Sequence, residues 1–138
     1  MIIDTHAHFV PQTMLDAVVS GSASFKNIEV LKEDKAFKLA FMGGAPTRPI
    51  MPKLRELESR EAWLSENNID LQISGGWLDS FAYGVPADEG AAWSRFMNEH
   101  LLGQMRGKAY MEPLATVPLQ DGKLAAEVLR EAMAAGFS

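Results

Sequence analysis

The chain has 138 residues, the size of one ordinary domain, and its formal net charge of −5 disfavours nucleic acid as a partner. It contains no cysteine, so disulfides and thiolate metal sites are excluded. No apolar run approaches the length of a membrane-spanning helix, and the N-terminus lacks the features of a signal peptide. We therefore expect a cytoplasmic protein that binds neither nucleic acid nor a membrane.

The first predicted element is a β-strand over residues 2–10, where apolar residues flank a polar centre. Asp4, His6 and His8 occupy alternate positions, so a regular strand would place them on one face. Imidazole is the commonest metal-binding side chain at neutral pH, and two on one face would form half of a metal site. A single histidine is more often structural, and HxH also occurs by chance, so both interpretations stay open at this point.

A short helix and an inserted hairpin are predicted next. The helix follows Pro11 and has one apolar stripe. Residues 28–31 and 36–41 alternate between apolar and polar positions on either side of a polar turn, which favours a β-hairpin. The hairpin lies within an insertion at about 25–45. A loop rich in glycine and proline follows over 43–52.

The rest of the chain alternates helices with strands. The predicted elements are a helix over 53–68, a strand over 69–74, a helix over 88–105, a strand over 110–117 and a helix from Asp121 to Gly136. Such alternation produces parallel βαβ units, so the fold class is α/β. Three parallel strands with helices form neither a closed barrel nor a favourable open sheet. We therefore expect this chain to be the front portion of a longer protein.

Four passages of the sequence resemble one known family. They are Ile3-Asp-Thr-His-Ala-His-Phe-Val-Pro11, Arg48-Pro-Ile50, the segment from Arg60 through Asn68-Ile-Asp-Leu-Gln-Ile73, and Leu114-Ala-Thr-Val-Pro-Leu-Gln-Asp121. In this order they resemble the amidohydrolase superfamily. The most similar branch is that of aminocarboxymuconate-semialdehyde decarboxylase, in the amidohydrolase-related group. The resemblance extends over nearly the whole chain. Asp121 is interpreted physically as the cap of the last helix.

The resemblance implies a fold and a metal site. Residues 1–138 would form the N-terminal part of one amidohydrolase-type (β/α)8 TIM barrel, with the hairpin inserted and about three of eight βα units present. His6 and His8 would bind one divalent metal ion, most often zinc, at the carboxyl end of the first strand. Asp4 would orient one of these ligands, or else contact the metal itself.

The resemblance also implies a small-molecule carboxylate as the substrate. Arg48 matches a position that binds the substrate carboxylate in the decarboxylase branch, a task for which the two-pronged guanidinium is suited. The alternative is a solvated loop arginine. Trp77, just past the second core strand, would face the substrate, or else lie in the core or in a lid. The sequence does not decide which face of the third strand carries Glu112.

The family's other metal ligands have no counterpart in this sequence. They are histidines from strands five and six and an aspartate from strand eight. The third histidine of this chain, His100, lies in the middle of a predicted helix, and we interpret it as a surface or helix-packing residue. The chain by itself therefore holds no complete catalytic set.

The expected function is that of a metal-dependent, decarboxylase-like carbon–carbon lyase acting on a small carboxylic acid. Two alternatives stay open. One is a metal-dependent hydrolase of amide, ester or lactone bonds. The other is a truncated, non-catalytic fragment that needs the missing C-terminal half. Because an incomplete barrel exposes a strand edge and apolar helix faces, we also expect a homo-oligomer.

Overall fold

Strands and helices alternate as predicted in the computed structural model, which describes residues 1–137. The elements are β1 (Ile3–Phe9), α1 (Gln12–Val19), β2 (Ile28–Glu33), β3 (Ala36–Phe41), α2 (Leu57–Glu66), β4 (Leu71–Gly76), α3 (Ala87–Met105), β5 (Met111–Pro113) and α4 (Gly122–Ala135). Short 3-10 turns at Pro52–Leu54 and Leu78–Ser80 precede α2 and follow β4.

The core sheet consists of β1, β4 and β5 in that order, and all of its strands are parallel. Between β1 and β4, Ile3 lies opposite Leu71. Between β4 and β5, Ile73 lies opposite Glu112. Parallel neighbours cannot be joined by a tight turn. The chain therefore passes through α1, the hairpin and α2 between β1 and β4, and through α3 between β4 and β5. The predicted α/β class is confirmed.

The predicted hairpin forms a separate antiparallel sheet of β2 and β3. Its pairing runs from Ile28 opposite Phe41 to Glu33 opposite Ala36. Ile28 and Leu39 are buried in one cluster with residues of α1 and α3. The hairpin therefore covers these helices and does not extend the core sheet.

The start of α2 differs from the sequence prediction. The helix predicted over 53–68 begins at Leu57, because Pro52 opens a 3-10 turn and the backbone at Glu56 is extended. The turn lies against the end of β1, where the N–H of Val10 donates to the Leu54 carbonyl oxygen at 2.8 Å.

The third core strand is shorter than predicted. The strand expected over 110–117 ends at Pro113. Beyond it, the backbone of Thr116 is hydrogen-bonded to the side chain of Asn98 instead of to a strand. The residues after Pro113 therefore form a loop that is fixed to α3.

The two ends of α4 agree with the prediction. Oδ1 of Asp121 accepts hydrogen bonds from the N–H groups of Lys123 and Leu124, both at 2.9 Å. This satisfies backbone donors that the first helical turn leaves without partners. At the other end Gly136 adopts a left-handed conformation with φ of 112°, which a glycine tolerates without strain.

Two groups of buried side chains connect the layers. One lies among α1, the hairpin and α3 and includes Leu39, Trp77 and Trp93. The other includes Phe9 of β1 and Met111 of β5. No helix within residues 1–137, α3 included, combines the length and the apolar character needed to cross a membrane.

Candidate functional site

His6 and His8 lie together near the carboxyl end of β1. Their ring centroids are 5.0 Å apart, and the rings are nearly perpendicular, at 82°. His6 is exposed and His8 is half-buried. The carboxyl ends of parallel strands are the edge at which α/β proteins bind ligands. The two imidazoles are thus brought together at the expected edge, and their binding of a metal stays a prediction.

The backbone of β4 holds one ring nitrogen of His8. Nδ1 lies 2.9 Å from the carbonyl oxygen of Gly76. Because a carbonyl oxygen only accepts hydrogen bonds, Nδ1 carries the proton in the neutral ring and Nε2 keeps its lone pair. Histidines that bind metals commonly donate their other N–H group in this way. Of the two ring nitrogens of His8, Nε2 is therefore the one left with a lone pair for a ligand.

Asp4 faces away from the two imidazoles, which corrects the prediction that all three side chains share one face. Asp4 lies opposite Gln72 and His8 lies opposite Gly75. Those two positions on β4 are an odd number of residues apart, so their side chains point to opposite faces. The cause is a register irregularity between Asp4 and Ala7, where β1 contains one residue more than β4.

The contacts of Asp4 are with a main-chain group and with a buried amide. Its Oδ1 accepts a hydrogen bond from the N–H of His6 at 3.2 Å, and its Oδ2 accepts one from Nε2 of Gln72 at 2.7 Å. Gln72 is only 3% exposed, so the carboxylate is anchored to the buried side of the sheet. Asp4 therefore supports the backbone of His6 and does not contact an imidazole nitrogen.

The two histidines are suitable ligands for zinc, but they are fewer than a zinc site requires. Imidazole nitrogens such as those of His6 and His8 suit a divalent ion of this type. Within residues 1–137, no three His, Cys, Asp or Glu side chains lie close enough together to hold a metal ion. Catalytic zinc takes about three protein ligands. The two histidines are therefore only part of the donor set that a zinc centre would need.

Arg48 and Trp77, the two predicted substrate-binding residues, are in contact. The guanidinium carbon of Arg48 lies 5.3 Å from the ring centroid of Trp77, and its Nε donates to Oδ2 of Asp79 at 2.8 Å. Trp77 directly follows Gly76, whose carbonyl oxygen bonds to His8. The pair therefore borders the same edge of the sheet as the histidines.

Burial decides between the alternatives for Trp77. Trp77 is only 4% exposed, so its ring belongs to the core and does not present a face to a ligand. The ring instead packs against the guanidinium of Arg48. The Arg48 side chain itself is 69% exposed. Among the described residues, 1–137, the bond to Asp79 is the only hydrogen bond of this guanidinium. Its terminal nitrogens are available to a carboxylate.

Glu112 lies on the same face of the sheet as His8. It is opposite Ile73, which is two residues from Gly75, the residue opposite His8. The sequence alone left its face undecided, and the observed β5 is only 3 residues long. The pairing of β5 with β4 supplies the missing information.

His100 lies outside the candidate site. Its Nδ1 is 2.8 Å from Oγ1 of Thr13 in α1, and its ring centroid is 4.5 Å from that of Phe96. Burial lowers the pKa of His100, and the charge of Glu99 partly opposes this shift. The prediction of a surface or helix-packing residue is confirmed.

The arrangement of these strands and helices is similar to part of a TIM barrel, as comparison with solved structures shows. The 5-carboxyvanillate decarboxylase LigW from Sphingomonas paucimobilis matches with a TM-score of 0.64 and 19% identity, over 95% of this chain and 38% of that chain. IDCase from Metarhizium anisopliae, in apo form, matches with a TM-score of 0.60 and 13% identity, over 95% of this chain and 39% of that chain. No protein-family model and no curated protein matches the sequence.

These comparisons establish the fold. Both neighbours are TIM barrels of the amidohydrolase superfamily. This chain spans about two fifths of the length of each. Neither neighbour singles out the predicted aminocarboxymuconate-semialdehyde decarboxylase branch.

Proposed function

We propose that this chain provides the metal-binding first part of a decarboxylase-like carbon–carbon lyase that acts on a small carboxylic acid. In this proposal His6 and His8 bind one divalent ion, preferably zinc. The observation that carries it is the hydrogen bond from His8 Nδ1 to the Gly76 carbonyl oxygen, which leaves Nε2 free beside the His6 ring. The likeness of the fold to a solved decarboxylase supports the reaction class.

In the proposed reaction Arg48 binds the substrate carboxylate through its terminal nitrogens. Its Nε is bonded to Asp79, and Trp77 lies beneath the guanidinium. The group is therefore held in place before the substrate arrives, which reduces the entropy lost on binding. A two-pronged, charged contact also fixes the orientation of the carboxylate.

A divalent ion, when bound, supplies a Lewis acid that polarises a substrate oxygen. The residues of this chain hold and place that ion. His8 does so through Nε2, since its Nδ1 is engaged by the backbone of Gly76. The exposed ring of His6 lies beside it. Together with Arg48 they define the edge of the sheet at which the substrate binds.

Titration of the purified protein with Zn²⁺ tests the metal site. His6→Ala and His8→Ala each remove one of two ligands, so we expect the affinity for Zn²⁺ to fall by about tenfold or more. His100→Ala is the matched control, because it removes a histidine that lies outside the site. Unchanged Zn²⁺ affinity in both His6→Ala and His8→Ala would rule out these ligands.

The reaction class is tested with 5-carboxyvanillate, the compound that appears in the name of one structural neighbour, a 5-carboxyvanillate decarboxylase. Zinc-dependent release of CO2 that is lost in His8→Ala supports the lyase. Zinc-dependent hydrolysis of an aryl ester or a lactone, with no release of CO2, would instead support the hydrolase alternative.

A second candidate is a chain that is inactive until another polypeptide supplies the remaining ligands. It is favoured by the metal site, since residues 1–137 bring together two metal-binding side chains without a third. Zinc binding without any turnover is the result expected for this candidate.

We also propose that copies of the chain associate. Within the described part of the chain, β1 and β5 each have one edge without a neighbouring strand. Ile3 and Leu114, near these edges, are 41% and 44% exposed. Unpaired edges and exposed apolar side chains both favour association.

A further inference from the structure

We propose that Arg60 of α2 is a positioning residue for the histidine pair, holding the backbone of β1 at both His6 and His8. The proposal rests on the proposed metal site for its functional meaning. Its geometry is independent of that site, because every contact it uses joins residues of this chain to one another.

At His8 the contact is direct. Nη2 of Arg60 donates to the carbonyl oxygen of His8 at 2.8 Å and to that of Lys53 at 3.0 Å. The guanidinium carbon lies 5.4 Å from the ring centroid of Phe9, the last residue of β1. One end of the guanidinium therefore joins the end of β1 to the turn that precedes α2.

At His6 the contact passes through two other side chains. Nη1 of Arg60 donates to Oε1 of Gln72 at 2.5 Å, and Nε2 of Gln72 donates to Oδ2 of Asp4 at 2.7 Å. Oδ1 of Asp4 then accepts from the N–H of His6 at 3.2 Å. The order of donors is determined, because a reversed Gln72 amide would place its NH2 group against the guanidinium and its oxygen against the carboxylate.

This series of hydrogen bonds ends at the irregular segment of β1, between Asp4 and Ala7. The register between β1 and β4 shifts between Asp4 and Ala7, so the regular ladder does not pair this segment. Asp4 supplies the acceptor for the His6 N–H at that irregularity. Arg60 thereby fixes the segment from which the imidazole of His6 projects.

The surroundings distinguish Arg60 from a solvated helix residue. Gln72, its partner, is 3% exposed and is also within 3.4 Å of Oγ of Ser74. Burial lowers the pKa of the Arg60 guanidinium, and the charge of Asp4 partly opposes that shift. Within residues 1–137, Nε of Arg60 is buried without a hydrogen-bond partner. A cation in such a place is costly unless several groups compensate it.

Residues that orient metal ligands typically change metal affinity by about 10–100-fold when they are replaced. Arg60 and Gln72 should act in this way through the backbone. Arg60 reaches both histidines, whereas Gln72 lies only on the route to His6. Replacing Arg60 should therefore affect both histidines, whereas replacing Gln72 should affect His6 alone.

Nuclear magnetic resonance of the metal-free protein tests this difference. In Arg60→Met we expect hydrogen exchange at the His6 amide to accelerate on the order of tenfold. We also expect the ¹⁵N signals of the His8 ring to move toward those of a mixture of tautomers. Gln72→Met should accelerate exchange at His6 and leave the His8 ring unchanged. Arg95→Met is the matched control, since it breaks a two-pronged bond to Glu131 on the surface.

Zinc titration of the same variants provides the second readout. Arg60→Lys keeps the charge but cannot form all of the bonds, so we expect Zn²⁺ to bind about tenfold more weakly. If Arg60→Met fails to fold, Arg60→Lys and Gln72→Met carry the test.

A lowered unfolding temperature in these variants, with the His6 exchange rate, the His8 ring signals and the Zn²⁺ affinity all unchanged, would show a merely structural role and overturn the proposal. If the wild-type protein binds no Zn²⁺, the proposed function fails. The exchange and ring measurements still decide the positioning role of Arg60 in that case.

Discussion

The buried side chain of Asn98 and the backbone of Thr116 exchange two hydrogen bonds. Nδ2 of Asn98 donates to the Thr116 carbonyl oxygen at 2.9 Å, and the Thr116 N–H donates to Oδ1 of Asn98 at 2.8 Å. A side-chain amide thus satisfies the backbone just after β5 has ended. Through this pair the loop that leads to α4 is attached to α3.

Asn98→Leu should destabilise the protein by about 2–4 kcal/mol, because it leaves a buried N–H and a buried carbonyl group without partners. Urea unfolding measures the change. Asn67→Ala is the control, since it removes one exposed bond, to the Trp63 carbonyl oxygen, and should cost no more than about 0.5 kcal/mol. Equal losses in the two variants would contradict the role assigned to Asn98.

Asp121→Ala should lower the free energy of unfolding by about 1 kcal/mol, because it removes the acceptor for two N–H groups of α4. Asp121→Asn keeps an oxygen at the same place and should retain most of the stability. Thermal unfolding of both variants checks this. A loss in Asp121→Asn as large as in Asp121→Ala would point to charge instead of capping.

Under the proposed function, with 5-carboxyvanillate as the probe carboxylate, Arg48→Ala should weaken binding by about tenfold or more, because it removes a charged, two-pronged partner for the carboxylate. The free energy of unfolding should change by less than about 0.5 kcal/mol, since the Arg48 side chain is 69% exposed. Calorimetric titration measures the affinity. Arg95→Ala, which removes another surface arginine, should leave it unchanged. Equal affinity in wild type and Arg48→Ala would exclude Arg48 from the substrate site.

The stability of the wild type should fall at acidic pH in part because of His100. Burial lowers its pKa in the folded state from the ordinary value of 6.5, so the unfolded chain binds the proton more readily. The loss of stability begins as the pH falls through about 6.5, and it is complete below the folded-state pKa. His100→Gln cannot be protonated and should lose less stability between about pH 7.5 and about pH 5. Identical pH profiles by urea unfolding would contradict this.

Static light scattering should show dimers or larger assemblies of the wild-type protein, because two strand edges and nearby apolar side chains are uncovered in the described part of the chain. Ile3→Lys and Leu114→Lys place charges at these edges and should favour the monomer. Leu129→Lys introduces the same charge at a residue of α4 that is 46% exposed, and should not. A wild-type monomer at high concentration would argue against association.

Regular hydrophobic patterns made most of the fold predictable. The long helix expected from 88 begins at Ala87, and the cap at Asp121 was identified from its place before an apolar stripe. The start of α2 was not predictable in the same way. In sequence, the 3-10 turn at Pro52–Leu54 resembles the first turn of an α-helix. Its contact with the end of β1 is visible only in the structure.

The candidate site was predictable only in part, because its arrangement depends on pairing between distant residues. A strict alternation placed Asp4 beside His6 and His8, and one additional residue in β1 reversed its face. The partners of Asp4 and His8 lie on β4, far along the chain. The polar connection from Arg60 likewise depends on that register.

The acceptor that fixes the His8 ring belongs to the main chain, so no substitution of residue 76 can delete it. A side chain at Gly76 would instead place its Cβ 2.9 Å from Cε of Met97 and from Cε1 of Phe81. Such a substitution would force either these side chains or the backbone at residue 76 to shift. Under the proposed function, the affinity for metal would therefore be open to adjustment from the hydrophobic interior, through variants at Met97 or Phe81 that leave every polar group of the site intact.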